Sequence, residues 1–191
     1  MLIKEIRISK EDIEALKEID SMGVTPSKLG SLSLDNICVC KPWGYEYKAY
    51  ESEDNRICAW VLHMLCNGTG TSIHCHRTKI TLIHVLKGKI WVKTLHETFN
   101  LSEGDEMWID RATFHAMGAL EDGTVLTEIE SPSFKPDAIR YKDTWGRERQ
   151  EYESKCELVD SKKMHCPYLS YQVFNKRIIL LVNRARTEWN L

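Results

Sequence analysis

The stretch TLIHVLKGKIWV, residues 81–92, decides the fold, because it holds two short apolar segments that meet at Gly88. Both segments are rich in β-branched and aromatic residues, which favour strands, and Gly88 marks the turn between them. The surrounding chain repeats this alternation of short apolar segments and turn clusters. The apolar segments lie at residues 57–64, 107–109 and 124–129, and the turn clusters lie at residues 67–70, 102–105 and 120–123. Several short strands at this spacing predict an all-β sandwich or barrel.

Two histidines, His74 and His76, precede this stretch with a single residue between them. Side chains alternate along a strand, so both imidazoles should point to one face and Cys75 to the other. A third histidine, His115, follows the turn cluster at residues 102–105. Three imidazoles that reach one point can hold a divalent metal ion. The spacing predicts a metal site of His74, His76 and His115, provided that the three side chains converge.

The remaining histidines offer no comparable pattern. Each stands alone, and an isolated histidine in a strand usually only makes hydrogen bonds within the fold. We therefore predict structural roles for His63, His84, His96 and His165.

The glycines and histidines together resemble the two sequence motifs of the cupin superfamily. The positions that match these motifs are, in chain order, Gly70, His74, His76, Gly88, Gly104 and His115. Asp110 and Ala112 depart from the second motif, which often has proline and glycine there. The resemblance implies a cupin jelly-roll β-barrel, to which the sequence adds an N-terminal helix and a C-terminal strand extension.

Two flanking segments resemble those of cupins that act on sugar phosphates. They are KPWGYE, residues 41–46, before the barrel, and DAIRYKDTWGR, residues 137–147, after it. The best match is the cupin domain of type II mannose-6-phosphate isomerase, which is often fused to mannose-1-phosphate guanylyltransferase. The resemblance covers roughly residues 38–148. It implies an isomerase of carbohydrate metabolism that uses a divalent ion (Zn, Mn, Fe or Ni) and forms a homodimer.

One departure from the first cupin motif affects the metal site directly. The motif usually supplies a glutamate ligand, and Thr81 occupies its position here. A neutral hydroxyl is a much weaker ligand than a carboxylate. Lys79 is in phase with Thr81 and would repel a cation if it pointed inward while charged. Three interpretations stay open: a three-histidine site with a free fourth position, a three-histidine iron dioxygenase of a small thiol, and a non-catalytic sugar-binding cupin.

The candidate catalytic and substrate-binding residues lie on either side of the histidines. Glu128 and Glu130 share one face of the last predicted barrel strand, and that face is either solvated or the barrel interior. If it is the interior, Glu128 can supply acid–base chemistry or the missing carboxylate. The basic residues that could bind a substrate phosphate or carboxylate are Arg77, Lys93 and Arg140. The prediction is aldose–ketose isomerisation of a sugar or sugar phosphate, with a metal-stabilised enediolate and a proton carried between C1 and C2.

The two ends of the chain are predicted to flank the barrel. Ser9 can cap a helix over residues 10–22, with Ile13, Leu16 and Ile19 as its apolar stripe. Residues 166–175 and 177–183 are predicted to pair as a terminal hairpin. The predicted parts are an N-terminal helical segment at 1–36, the barrel at 37–148, and an extension at 149–191 that packs on the barrel or on a dimer partner.

Composition excludes some function classes. With 26 Lys and Arg against 28 Asp and Glu, the formal net charge of −2 does not suggest a nucleic-acid partner. The sequence has no apolar run approaching the ~20 residues that span a bilayer, and its N-terminus lacks a signal-peptide pattern. Seven cysteines cannot all pair within one chain, which favours free thiols in a reducing cytoplasm. We expect a small-molecule enzyme of the cytoplasm.

Overall fold

The computed structural model describes residues 2–23, 37–133, 138–142, 157–160 and 171–191. These residues form thirteen strands and two helices. The strands are β1 (Ile3–Ile6), β2 (Ile37–Lys41), β3 (Gly44–Glu51), β4 (Cys58–Met64), β5 (Ile73–His76), β6 (Ile80–Lys87), β7 (Lys89–Lys93), β8 (Thr98–Ser102), β9 (Glu106–Ile109), β10 (Ala116–Ala119), β11 (Thr124–Ser131), β12 (Ala138–Lys142) and β13 (Glu157–Asp160). The helices are α1 (Lys10–Ser21) and α2 (Tyr171–Glu188).

Eight strands form one large sheet in the order β1-β9-β6-β11-β4-β3-β2-β13. Two smaller sheets, β10-β7-β8 and β12-β5, lie opposite it. His74 and His115 join the two smaller sheets, because their backbones exchange hydrogen bonds of 3.0 and 2.8 Å. The opposed sheets form the two layers of a cupin-type jelly roll. The predicted all-β fold is therefore confirmed, including the break between β6 and β7 at Gly88, which has a φ of 78°.

The interior of the jelly roll is filled by apolar side chains from both layers. Those from the large sheet include Leu62, Met64, Ile83, Val85, Met107 and Leu126, and those from the smaller sheets include Ile90, Val92, Leu101 and Met117. Strand β11 is buried on both faces: Leu126 points inward, whereas Val125 and Ile129 point outward beneath α2. A strand that is covered on both sides explains the nearly continuous apolar sequence there.

Helix α1 begins at the predicted cap. Ser9 Oγ accepts a hydrogen bond from the Asp12 N–H at 3.1 Å, and the Asp12 carboxylate accepts one from the Ser9 N–H at 2.8 Å. This reciprocal pair satisfies two N–H groups that the first helical turn leaves without partners. Gly23, with a φ of 66°, follows the helix as predicted.

Helix α1 covers the outer face of β5 and of the chain before β10. Its buried apolar residues, Ala15 and Ile19, pack against Cys75, Phe114 and Ile139. The predicted apolar stripe was wrong at Ile13, which is exposed. The helix therefore contacts the outer face of the segments that carry the three histidines.

The predicted terminal hairpin was wrong, because residues 177–183 belong to the helix α2. Among the α2 side chains from residue 176 onward, the buried ones are Ile178, Leu181, Val182 and Ala185, which recur with helical rather than alternating spacing. They pack on the outer face of the large sheet, while Ile179 and Leu180 are exposed. Of the first predicted hairpin strand, residues 166–170 lie outside the described residues. A strand does occur in the extension, where β13 pairs with β2.

The N-terminal segment contains a strand that was not predicted. Strand β1 precedes α1 and pairs in parallel with β9 at the edge of the large sheet. The three-part division of the chain stays a prediction, because residues 24–36 and 143–156 lie outside the described residues. Among the described helices, neither is long and apolar enough to cross a bilayer.

Candidate metal centre

Three imidazole rings lie side by side on the interior face of the smaller sheets. Strand β5 supplies His74 and His76, and the residue immediately before β10 is His115. The ring centroids are 4.6 Å apart for His74 and His115, 5.2 Å for His74 and His76, and 6.2 Å for His76 and His115. Cys75 lies on the opposite face, buried against α1, as the alternation of a strand requires.

Backbone carbonyls fix the orientation of two of these rings. His74 Nδ1 lies 2.8 Å from the carbonyl oxygen of Ser72, and His115 Nδ1 lies 2.9 Å from that of Thr113. A carbonyl only accepts hydrogen bonds, so each Nδ1 carries the proton and each Nε2 keeps a free lone pair. Metal-binding histidines are commonly oriented in this way. His115 Nε2 is buried and has no hydrogen-bond partner among the described residues.

The surroundings hold these two rings in the neutral form. Burial lowers the pKa of His74 well below its usual range, and the neighbouring His115 and His76 lower it further. Burial, followed by the neighbouring His76, lowers the pKa of His115 to about 4. Neutral imidazole is the form that coordinates a metal, so both rings are ready to act as ligands at neutral pH.

Glu130 is the carboxylate next to the histidines. Its Oε1 lies 3.5 Å from His76 Nε2, and its Oε2 lies 2.9 Å from the Nζ of Lys79. In the pairing of β11 with β6, Glu130 stands directly opposite Thr81. A carboxylate from the neighbouring strand therefore occupies the region where the first cupin motif would supply its glutamate.

Glu128, the predicted catalytic residue, lies two positions along β11 from Glu130. It pairs in register with Trp60 on one side and Ile83 on the other, and its alternation with the inward-pointing Leu126 places it on the interior face. Burial, followed by the negative charges of Glu130 and Glu46, raises the pKa of Glu128 to about 8. The interior alternative for this face is therefore the one that the structure adopts.

The three predicted substrate-binding residues do not lie together. Arg77 forms an ion pair with Asp20 of α1, on the outer side of the small sheet. Lys93 is exposed at the end of β7. Arg140 is half-buried on β12, directly opposite His74, and its charge contributes to lowering the pKa of that histidine. Of these three, the structure brings only Arg140 to the histidines.

Sequence reasoning did not assign Glu130 or Lys79 to the site. Spacing placed Glu130 on the same face as Glu128, but it could not show which of the two stands next to the histidines. Lys79 was expected to repel a cation if it pointed inward while charged; in the structure its ammonium group contacts the carboxylate of Glu130. The register between β6 and β11 distinguishes Glu130 from Glu128, because it determines which of the two lies opposite Thr81. That register pairs positions far apart in the chain.

Imidazole and carboxylate groups are suitable ligands for a divalent ion, but the side chains of this site are not arranged around a common point. Among the described residues, no group of three or more His, Cys, Asp or Glu side chains is already arranged to hold a metal ion. In the described structure, His76 Nε2 faces Glu130, and Glu130 is held by Lys79.

Comparison with known proteins adds similarities to solved structures only, since no protein-family model and no curated protein matches the chain. KdgF from Halomonas sp. is 22% identical, with a TM-score of 0.45 over 48% of this chain and 82% of that one. Oxalate decarboxylase from Bacillus subtilis at pH 4.6 is 14% identical, with a TM-score of 0.49 over 61% of this chain and 34% of that one. DMSP lyase DddQ from Ruegeria pomeroyi DSS-3 is 17% identical, with a TM-score of 0.44 over 60% of this chain and 56% of that one.

The matched part is only about a third of the oxalate decarboxylase chain. Similarity at these identities and scores concerns the fold and says nothing of the activity. The protein's own residues define a cupin-type jelly roll with a histidine cluster inside it.

Proposed function

We propose that this protein is a metal-dependent enzyme of the cupin type, with His74, His76 and His115 as ligands of a divalent ion. The observation that carries the proposal is the adjacency of three interior imidazoles, one of which has a buried Nε2 with no hydrogen-bond partner among the described residues. A buried acceptor that lacks a partner is costly, and a metal ion would satisfy it. The ion (Zn, Mn, Fe or Ni) would act as a Lewis acid toward substrate oxygens.

The protein's own side chains would position the substrate and move its proton. Arg140 stands opposite His74 and can bind an anionic group of a substrate. Glu128 faces the interior with a pKa raised to about 8, so it can both accept and donate a proton near neutral pH. These roles require a substrate that is acidic at one end and exchanges a proton at the other.

Aldose–ketose isomerisation of a sugar or sugar phosphate is the reaction we propose. It moves one proton between C1 and C2, which is the role given to Glu128, and a second proton between the oxygens on those two carbons, which solvent can carry. The choice of sugar rests on the flanking segments at residues 41–46 and 137–147, which resemble those of mannose-6-phosphate isomerase cupins. Residues 143–147 lie outside the described residues, so the argument for a sugar comes from sequence resemblance.

The test begins with metal-free protein reloaded separately with Zn, Mn, Fe or Ni. Each form is incubated in D₂O with a panel of aldoses, ketoses and their phosphates, and NMR follows both interconversion and deuterium uptake at C2. We expect turnover with at least one metal and its loss in His115→Ala. His96→Ala is the matched control, because His96 is also an imidazole but lies at the surface. The absence of interconversion with every metal would contradict the proposal.

A three-histidine iron dioxygenase of a small thiol is the second candidate. The observation in its favour is Thr81, which is buried and leaves the first cupin motif without a carboxylate of its own. Oxygen uptake by the iron-loaded protein with small thiols, in the absence of sugar isomerisation, would support this alternative.

A sugar-binding cupin without catalytic activity is the third candidate. Protein purified without chelator would then contain less than about 0.2 equivalents of metal per chain, whereas a metal-dependent enzyme with three histidine ligands would retain more. The homodimer and the cytoplasmic location stay predictions. Light scattering on the purified protein would measure the mass in solution.

A further inference from the structure

We infer that Glu130 is the carboxylate ligand of this metal centre and that Lys79 holds it in place until the ion binds. The inference rests on the proposed function, since it assumes that the three histidines bind a metal. It adds a ligand from a strand other than those of the two cupin motifs. It also assigns a role to Lys79, which from its sequence position alone would oppose metal binding.

The strand register supplies the first argument. Glu130 on β11 is paired with Thr81 on β6, the position from which the first cupin motif would direct its glutamate. Directly opposed residues of neighbouring strands have Cβ atoms about 5 Å apart and point to the same face. A glutamate side chain can span that distance, so the carboxylate can reach the same region from the adjacent strand.

The contacts of the carboxylate supply the second argument. Oε1 of Glu130 lies 3.5 Å from His76 Nε2, the atom through which His76 would bind the ion. Oε2 lies 2.9 Å from Lys79 Nζ, and Cys58 Sγ lies 3.7 Å from the same oxygen. One carboxylate oxygen therefore already lies next to the histidines, while the other is bound by the ammonium group.

Burial explains why Lys79 is needed. The side chains of Glu130 and Lys79 are only 6% and 9% exposed, and an isolated charge at such depth would be strongly unfavourable. The ammonium group neutralises Glu130 in the metal-free protein. A divalent ion bound by the three histidines would supply that positive charge instead, and the ion pair between Lys79 and the Glu130 carboxylate would weaken. The ion and Lys79 therefore compete for Glu130.

The competing interpretation is that Lys79 and Glu130 form only a structural ion pair. Neighbouring Glu128 offers a matched control, because it lies on the same strand and faces the same interior. If the ion pair is structural, removing Glu130 lowers stability but leaves metal affinity unchanged. If Glu130 is a ligand, the metal affinity itself must change, and so must the coordination of the bound ion.

The experiment measures Co²⁺ binding to metal-free full-length protein by calorimetry and by the visible absorption spectrum of the bound ion. We expect Glu130→Gln to weaken binding about 100-fold and to change the Co²⁺ spectrum, whereas Glu128→Gln should stay within about threefold of the unmodified protein. Lys79→Met should tighten binding about tenfold, because the competing cation is gone. Thr81→Glu combined with Glu130→Thr moves the carboxylate across the register and should restore most of the affinity.

Controls separate folding from binding. Glu130→Gln leaves the buried Lys79 without its carboxylate, so the double variant Lys79→Met with Glu130→Gln removes both charges and should also bind weakly. Circular dichroism melting establishes that each variant is folded. The inference is overturned if His115→Ala abolishes Co²⁺ binding while Glu130→Gln and the double variant bind like the unmodified protein. If the unmodified protein binds no Co²⁺ at all, the proposed metal centre fails and the inference fails with it.

Discussion

Two sets of a histidine, a glutamate and a cation lie on opposite sides of the large sheet, and they differ in what surrounds them. The inner cluster consists of His76, Glu130 and Lys79, and the outer cluster consists of His84, Glu106 and Arg184. In both clusters the glutamate is buried and bound to the other two members. The two clusters therefore contain nearly the same types of side chain. The residue types alone do not distinguish a metal site from a structural contact.

The outer cluster fixes α2 to the sheet. Glu106 accepts from His84 Nδ1 at 3.0 Å and from the guanidinium of Arg184, which also lies over the ring of Trp108. The planar guanidinium of an arginine binds a carboxylate in a rigid geometry. The ammonium group of a lysine lies on a flexible side chain, so another cation can replace it more easily. Within the part of the chain that the structure describes, His84 Nε2 is also buried without a hydrogen-bond partner, so one such atom does not define a metal centre. The inner cluster differs because His74 and His115 stand beside it.

The largest expected effect separates the clusters by their response to metal. Adding Zn²⁺ or Co²⁺ at about 1,000 times the dissociation constant should stabilise the protein by about 4 kcal/mol. His115→Ala should abolish this gain, and His84→Ala should retain it. Thermal unfolding with and without metal measures the difference. Equal gains in the two variants would remove the distinction between the clusters.

Acid should destabilise the metal-free protein through the inner histidines. His115 has its pKa lowered to about 4, whereas the unfolded chain takes up this proton near the ordinary histidine value of about 6.5. Between those pH values the unfolded state binds more protons, so the free energy of unfolding falls as pH falls, by about 3 kcal/mol in full. Urea unfolding of EDTA-treated protein across this range measures the slope.

His115→Gln should flatten this slope, and His84→Gln should flatten it less. Burial lowers the pKa of His84, but the hydrogen bond and charge of Glu106 oppose that change. If His84→Gln reduced the pH dependence of the unfolding free energy more than His115→Gln does, the proposed difference between the two clusters would be wrong.

Glu106→Gln should weaken the outer cluster without affecting metal binding. It removes the charge that both His84 and Arg184 contact, and hydrogen bonds to charged groups contribute about 2 kcal/mol. We expect a loss of about that size in the free energy of unfolding, measured in urea, with unchanged Co²⁺ affinity. A fall in Co²⁺ affinity would show that the two clusters are coupled through the sheet.

The smallest effect concerns the support that α1 gives to His115. Asp12 Oδ1 accepts a hydrogen bond from the N–H of Phe114 at 2.9 Å, while Oδ2 accepts from Ser9. Asp12→Ala should cost about 1 kcal/mol of stability through the lost cap, and it should weaken Co²⁺ binding several-fold because Phe114 precedes His115. Ser9→Ala is the control, since it removes part of the cap but leaves the Phe114 contact. Equal Co²⁺ affinities in both variants would reduce Asp12 to a helix cap.

The sequence predicted those features that depend on near neighbours in the chain. The alternation of His74, Cys75 and His76 follows from the period of a strand, and the Ser9 cap follows from residues within one helical turn. The same alternation, applied to Arg77, would have indicated that its side chain points away from the site. The apolar run at residues 178–182 was wrongly predicted as a strand, because five consecutive apolar residues fit a buried strand and a packed helix equally well.

The sequence by itself determined a jelly roll with His74 and His76 on one strand face. Strand propensity, turns and the alternation of side chains depend only on residues that are adjacent in the chain. Only the tertiary structure decided that Glu130 rather than Glu128 stands beside those histidines, that Lys79 neutralises it, and that Arg140 alone of the three proposed basic residues lies nearby. The physical reason is that strand register joins residues tens of positions apart. It is fixed by the packing of whole sheets, which no local pattern encodes.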